Sequence, residues 1–145
     1  MVTGARMREI LLHGAADEAF DRSVAFARSL AETSNARLHV IYTIEDPLSG
    51  GWTAEMAAER LPELHQAMEA EARDRLERLI PIEEQDRLNV EIVIRTGPAA
   101  DALVQYTVEN PIDLAIVQAD ASGGGSNSAA RALFEGGRCA VLVLR

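Results

Sequence analysis

A run of small and polar residues, Ala121 to Ser128, is the clearest candidate for ligand chemistry in the sequence. It contains three consecutive glycines (Gly123, Gly124 and Gly125) and leads into a short predicted helix, Ala129 to Glu135. Glycines let backbone N–H groups close around an anion, and a helix N-terminus supplies further donors. The run departs from the dinucleotide fingerprint at its last position and contains no phosphate-binding lysine. An anion or nucleotide cradle and a solvent-exposed turn therefore both remain open.

The three histidines offer a second kind of chemistry. No cysteine or paired carboxylate stands at ligand spacing around His13, His39 or His65, so we expect no metal site. His39 alternates within a strand and His65 flanks an apolar helix stripe, which favours structural or solvated roles. His13 ends the first predicted strand, where a packing role competes with catalysis assisted by Asp17.

Nucleophilic catalysis has little support in the pattern. The serines of the glycine-rich run lack the G-x-S-x-G context of a nucleophile elbow, so a hydrolase triad is not expected. Cys139 precedes an apolar strand and is interpreted as a small core residue. We assign no catalytic residue, and an enzyme acting through His13 and Asp17 is the least favoured hypothesis.

Composition narrows the class of protein. The 14 basic and 23 acidic residues give a formal net charge of -9, which repels nucleic acid and anionic lipid surfaces. A single cysteine cannot form an internal disulfide, and no apolar run approaches the roughly 20 residues that span a bilayer. With 145 residues, of which 48% are apolar, we expect one cytoplasmic domain over residues 1–145.

Apolar runs of strand length alternate with segments of helical period, which predicts an α/β domain with a parallel sheet. A helix after the first strand places Phe20, Val24, Ala27 and Ala31 on one face, and Pro98 begins a later helix that ends at Asn110-Pro111. The five predicted strands are Glu9 to His13, Leu38 to Thr43, Leu88 to Arg95 near a sheet edge, Leu114 to Val117 with both faces covered, and Ala140 to Leu144.

One predicted helix is long and ends at Pro81. Pro62 is tolerated only near a helix start, so residues 54 to 60 are expected to form a separate turn. Its buried stripe comprises Leu61, Leu64, Met68, Ala72, Leu76 and Leu79. Three acid–base pairs at i,i+4 predict a solvated face without a site: Glu69 with Arg73, Glu71 with Arg75, and Asp74 with Arg78.

Ligands of doubly wound sheets bind beyond the carboxyl ends of the strands, where the strand order reverses. This rule selects the segments after the first and fourth strands, His13 to Asp17 and Gln118 to Ser128. The candidate ligand-binding residues are His13, Gly14, Ala15, Thr43, Gln118, Asp120, Gly123, Gly124, Gly125, Ser126, Asn127 and Ser128.

Two further features bear on partners. Trp52 follows the second strand, where a packing role and a ligand-stacking role both stay open. The last strand, Ala140 to Leu144, is almost wholly apolar and lies near a predicted sheet edge. A second copy of the chain would cover such an edge, and burial beneath helices is the equal alternative.

Three stretches together resemble the universal stress protein family over roughly residues 8 to 145. They are Glu9 to Leu12 with Leu38 to Tyr42, Gly97 to Leu103 with Ile112 to Val117, and Arg138 to Arg145. The resemblance implies an adenine nucleotide alpha hydrolase-like fold, with a five-stranded parallel sheet in the order 3-2-1-4-5 and helices on both faces. It also implies a homodimer formed through the last strand, and a family divided into ATP-binding and non-binding members.

This sequence departs from the ATP-binding relatives at several positions. Ala15 stands where they have an aspartate, Gln118 replaces a glycine, and Asn127-Ser128 takes the place of Gly-Ser in a loop about four residues shorter than the family pattern. The resemblance therefore implies a stress-response binding module with a degenerate nucleotide site. The alternative is a member that binds ATP, or another adenine nucleotide, with slow or no hydrolysis.

Overall fold

The computed structural model of the chain describes residues 7–15, 18–44, 54–119 and 128–145, with backbone alone at residues 54–61 and 128. Among these residues no helix is both long and apolar enough to cross a membrane. In chain order the elements are β1 (Glu9–Gly14), α1 (Ala19–Ser34), β2 (Arg37–Ile44), α2 (Ala54–Leu79), α3 (Ile82–Arg87), β3 (Glu91–Thr96), α4 (Ala99–Glu109), β4 (Leu114–Gln118), α5 (Ser128–Gly136) and β5 (Ala140–Leu144).

The strands form one five-stranded sheet in the order β3-β2-β1-β4-β5, and every neighbouring pair is parallel. The predicted fold class and strand order are therefore confirmed. The carboxyl ends of all these strands lie along one edge of the sheet, which we call the carboxyl rim.

Alternating side chains of β1 hold the two layers of helices to the sheet. Ile10 and Leu12 join a cluster with α1 and α2, whereas Leu11 joins a cluster with α4 and α5. All three side chains are fully buried, and burying an aliphatic side chain contributes about 1.5–3 kcal/mol. Because both faces of the strand are covered, it is apolar throughout its centre.

The helix α2 runs without interruption through Pro62, so the expected separate turn before Pro62 is wrong. Proline cannot donate to the carbonyl four residues earlier and usually breaks a helix interior. Pro62 lies on the exposed side of α2, where water can solvate the carbonyl that the proline leaves without a partner.

The boundary before β3 also differs from the prediction. Pro81 is the N-cap of the short helix α3, whose first turn carries two acidic residues. β3 begins at Glu91 rather than Leu88. Leu88 is the C-cap of α3, and Asn89 adopts a left-handed conformation with φ 52°. The alternating apolar pattern thus extended across the end of a helix, which is why the predicted strand began too early. The predicted place of β3 at a sheet edge is confirmed.

His39 lies inside the sheet layer with 2% of its surface exposed, which confirms a structural role. Its Nδ1 is 2.6 Å from the Tyr106 hydroxyl and its Nε2 is 3.1 Å from Glu9 Oε2. When Nε2–H donates to the carboxylate, Nδ1 accepts from the phenol. Burial, aided by the charge of Glu91, raises the pKa of Tyr106 to about 12.

Replacing Tyr106 with Phe tests this buried network. At neutral pH the variant should lose about 1–3 kcal/mol of unfolding free energy, because Nδ1 of buried His39 loses its partner. The Tyr106 contribution is complete below pH 10 and is lost as the pH rises towards 12, because the unfolded phenol ionises near 10.0 and the folded one near 12. Urea denaturation across this range should therefore show a steeper decline for the wild type than for Tyr106→Phe, and equal slopes would contradict the account.

Candidate functional site

A cavity of about 600 Å³ opens at the carboxyl rim, between the ends of β1 and β2, the side of α2 and the turn before α4. We call it the rim cavity. Its described lining consists of His13, Ala15, Tyr42, Thr43, Ile44, Met68, Glu71, Ala72, Arg75, Arg78, Gly97, Pro98 and Ala99. The volume falls in the range of about 300–1,000 Å³ that is usual for small-molecule sites.

Two of the predicted residues form a polar pair in this cavity. The His13 Nε2 atom lies 2.8 Å from the Thr43 hydroxyl oxygen, and both residues stand near the ends of adjacent parallel strands. Thr43 is 8% exposed and His13 is half-buried, so the threonine hydroxyl is largely shielded from water while the imidazole stays partly accessible. Such a pair can both donate to and accept from a ligand.

Gly14, a third predicted residue, serves the packing beneath the cavity. A Cβ atom at this position would overlap the ring of Phe20, which is fully buried. The same ring meets Tyr42 edge to face, with centroids 5.6 Å apart. The glycine lets the β1 end approach α1 closely enough to fix this aromatic pair.

Arg75 forms the wall contributed by α2, and the expectation that its face is merely solvated is wrong. It donates to the Ala15 carbonyl at 3.2 Å, to the Tyr42 hydroxyl at 3.4 Å and to Asp21 Oδ1 at 3.0 Å. Its guanidinium carbon lies 5.4 Å from the centre of the Phe20 ring, a cation–π geometry worth roughly 0.5–2 kcal/mol. Burial acts to lower the pKa of Arg75, but its hydrogen bonds to Asp21 and Tyr42 leave it raised.

The helix period contains a signal for Arg75 that the acid–base spacing obscured. Arg75 follows Met68 by seven residues and Ala72 by three, so it lies along the edge of the buried stripe. The neighbouring Asp74–Arg78 pair does form, at 3.3 Å, yet Arg78 and Glu71 also line the rim cavity. The buried stripe, read together with its flanking charges, would have identified this wall.

The turn before α4 supplies the remaining wall. Gly97 has φ +121°, a conformation that side-chain-bearing residues rarely adopt. Its N–H donates to the Ile44 carbonyl at 3.0 Å, which fixes the turn against the end of β2. In the sequence, Gly97 is recognisable only through the family resemblance.

Ala15, a further predicted residue, also lines the rim cavity. The structure does not bring the other predicted residues that it describes to this cavity. Gln118 lines a separate cavity of about 200 Å³ between α1 and the ends of β4 and β5. Ser128 starts α5 and is described by its backbone alone. Predictions outside the described residues concern Asp17, Trp52, Asp120, Gly123, Gly124, Gly125, Ser126 and Asn127.

The described side chains contain no group of three histidine, cysteine, aspartate or glutamate residues that could hold a metal ion. Cys139 is half-buried beside the cluster of α4 and α5. Burial raises the pKa of its thiol, which favours the neutral form over the nucleophilic thiolate.

Comparison with known proteins connects this geometry to one family. The sequence matches the Universal stress protein family over residues 9–145. No curated protein matches the sequence.

Solved structures share the fold at low sequence identity. The universal stress protein UspA from Lactobacillus plantarum is 21% identical with a TM-score of 0.76, and the match covers 98% of this chain and 100% of that one. A universal stress protein solved in complex with cAMP is 18% identical with a TM-score of 0.61, covering 97% and 98%. A protein of this family from Burkholderia pseudomallei is 20% identical with a TM-score of 0.56, covering 98% of both chains.

Gly14→Ala tests the packing beneath the site. The added methyl should lower the unfolding free energy by about 1–3 kcal/mol, because the Phe20 ring must shift. In a Phe20→Leu background the same substitution should cost less, and thermal or urea denaturation of all four proteins gives the coupling. An equal cost in both backgrounds would show that the ring is not the obstacle.

Proposed function

Because the chain belongs to the universal stress protein family, we propose that it is a stress-response binding module. In this proposal the chain forms a homodimer, and each protomer takes a small molecule into the rim cavity. The observation that carries the ligand part is the cavity itself, where the His13–Thr43 pair stands among apolar walls. A large cavity with a few convergent polar groups is the usual form of a binding site.

The wall after β1 argues against strong binding of ATP. Ala15 has no carboxylate to offer a nucleotide, and its backbone carbonyl already accepts from Arg75. A carbonyl engaged by a guanidinium is a poorer acceptor for a ligand amino group. These features support a site whose nucleotide affinity is reduced relative to the ATP-binding relatives.

The alternative is an adenine-nucleotide-binding member with slow or no hydrolysis. It draws support from the fold shared with a universal stress protein that was solved in complex with cAMP, and from the size of the rim cavity. Under this alternative, Gly123 to Ser126 and Ser128 surround the phosphates.

Calorimetric titration with Mg-ATP separates the two proposals. We expect no saturable heat below millimolar nucleotide, because Ala15 offers no carboxylate and its carbonyl is already engaged by Arg75. Millimolar affinity corresponds to only about 4 kcal/mol of binding free energy. Ser128→Ala and replacement of the glycines should leave this result unchanged. Micromolar binding that weakens in those variants would establish the alternative instead.

The dimer is supported by the contrast between the two edges of the sheet. β3 exposes Glu91 and Arg95, and charged side chains discourage pairing at an edge. β5 is apolar throughout and its Val143 is 43% exposed. Phe134 of the adjacent α5 is 85% exposed and lines the same shallow depression as Val143. Antiparallel pairing of β5 with its own copy would cover these groups about a two-fold axis.

Val143→Glu tests this interface. We expect the variant to be monomeric in light scattering at concentrations where the wild type is a dimer, because each interface would then bury two carboxylates close to its symmetry axis. Val108→Glu is the matched control, since Val108 is a comparably exposed valine (52%) that lies on α4 and not on the proposed interface strand. A monomeric wild type, or a Val143→Glu variant that remains dimeric with native circular dichroism, would refute the interface.

A further inference from the structure

The described side chains that line the rim cavity carry a net charge opposite in sign to that of the whole chain. Among the described lining residues, Arg75 and Arg78 stand against one acid, Glu71, whereas the chain carries a formal charge of -9. A cleft with charge of one sign and low-dielectric walls concentrates the opposite ion. The described lining of the rim cavity thus carries an excess of one positive charge on an acidic protein.

Among the residues that the structure describes, the carboxylates that pair with these arginines lie outside the cavity lining. Asp21, which pairs with Arg75, has a side chain that is 58% exposed, and Asp74, which pairs with Arg78, is 67% exposed. Exposed ion pairs contribute only about 0–1 kcal/mol, because water and salt screen them. An anion inside the cavity would therefore compete with Asp74 for Arg78 at little cost.

The rest of the lining is mainly apolar. Met68 and Ala72 of α2 face the end of β2 and the turn before α4 across the cavity, and Ala72 is only 3% exposed. The apolar lining residues are Ala15, Ile44, Met68, Ala72, Pro98 and Ala99. A ligand that fills this space gains from burying apolar surface as well as from charge.

We infer that the rim cavity binds an organic anion with an apolar body, its charged group held by Arg75 and Arg78 and its body held against Met68, Ala72 and Pro98. Guanidinium groups match carboxylate and phosphate oxygens with paired hydrogen bonds. Two sources share this chemistry, namely an aliphatic carboxylate and a nucleoside phosphate. This inference rests on the proposed function, since it requires the cavity to be a ligand site.

Matched pairs of probes separate charge recognition from cavity binding. Hexanoate and hexanol share an apolar body and differ in charge, and adenosine monophosphate and adenosine differ in the same way. Calorimetry or a thermal-shift titration at low salt should show the charged member of at least one pair binding roughly tenfold tighter, a difference of about 1.4 kcal/mol. The preference should shrink in high salt.

Three glutamine variants of α2 test which charged side chains act on the bound anion. Arg78→Gln should weaken binding of the anion by roughly threefold to tenfold, and Glu71→Gln should strengthen it, while the uncharged probe changes little in either. Arg73→Gln is the matched control, because Arg73 is exposed on the same helix and lies outside the cavity lining. Arg78 is preferred to Arg75 for this purpose, because loss of Arg75 would also release the Ala15 carbonyl and Tyr42.

Each outcome supports or overturns one statement. If hexanol or adenosine binds as tightly as its charged partner, the cavity is a ligand site and the preference for anions is wrong. If the anion binds but Arg73→Gln weakens its binding as much as Arg78→Gln does, the inference that the rim cavity recognises the anion is wrong. If no probe binds even at millimolar concentration, the ligand part of the proposed function fails together with this inference. The pair that responds to Arg78→Gln identifies the source of the anion.

Discussion

The parallel pairing of β1 with both β2 and β4 is the constraint from which the rest of the structure follows. A strand with parallel neighbours on both sides and helices on both faces must be apolar at its centre, so its polar residues are confined to its ends. Parallel neighbours also require crossover connections, so that every strand runs in the same direction and ends at the carboxyl rim. His13, Thr43 and Gly97 are distant in sequence, yet they converge on one cavity for this reason.

Much of the fold could be predicted because its strands are short apolar runs bounded by turn residues. β5 was predicted with its observed bounds, and α4 began after Pro98 as expected. The strand order was implied by the family resemblance, since hydrophobic pattern alone does not order parallel strands. The boundary near Leu88 failed because a helix end continued the alternating pattern of the following strand, and local pattern carries no information about the left-handed turn at Asn89.

The candidate site was predicted in part, and the reason lies in α2. Residues at strand ends, such as His13 and Thr43, follow from topology. Arg75 does not, because its role depends on how far α2 is rotated about its axis and on which residues of α1 and β2 it reaches. Spacing to Glu71 predicted a surface pair, whereas packing against Phe20 and hydrogen bonding to Ala15, Tyr42 and Asp21 proved more favourable.

The unequal edges of the sheet limit how far such molecules can associate. In the proposed dimer through β5, both outer strands of the combined sheet would be β3, with charged Glu91 and Arg95 on each flank. Neither flank is a good template for a third copy, so growth by strand addition ends with the pair. The proposed pairing would therefore leave the sheet little capacity to seed a fibre.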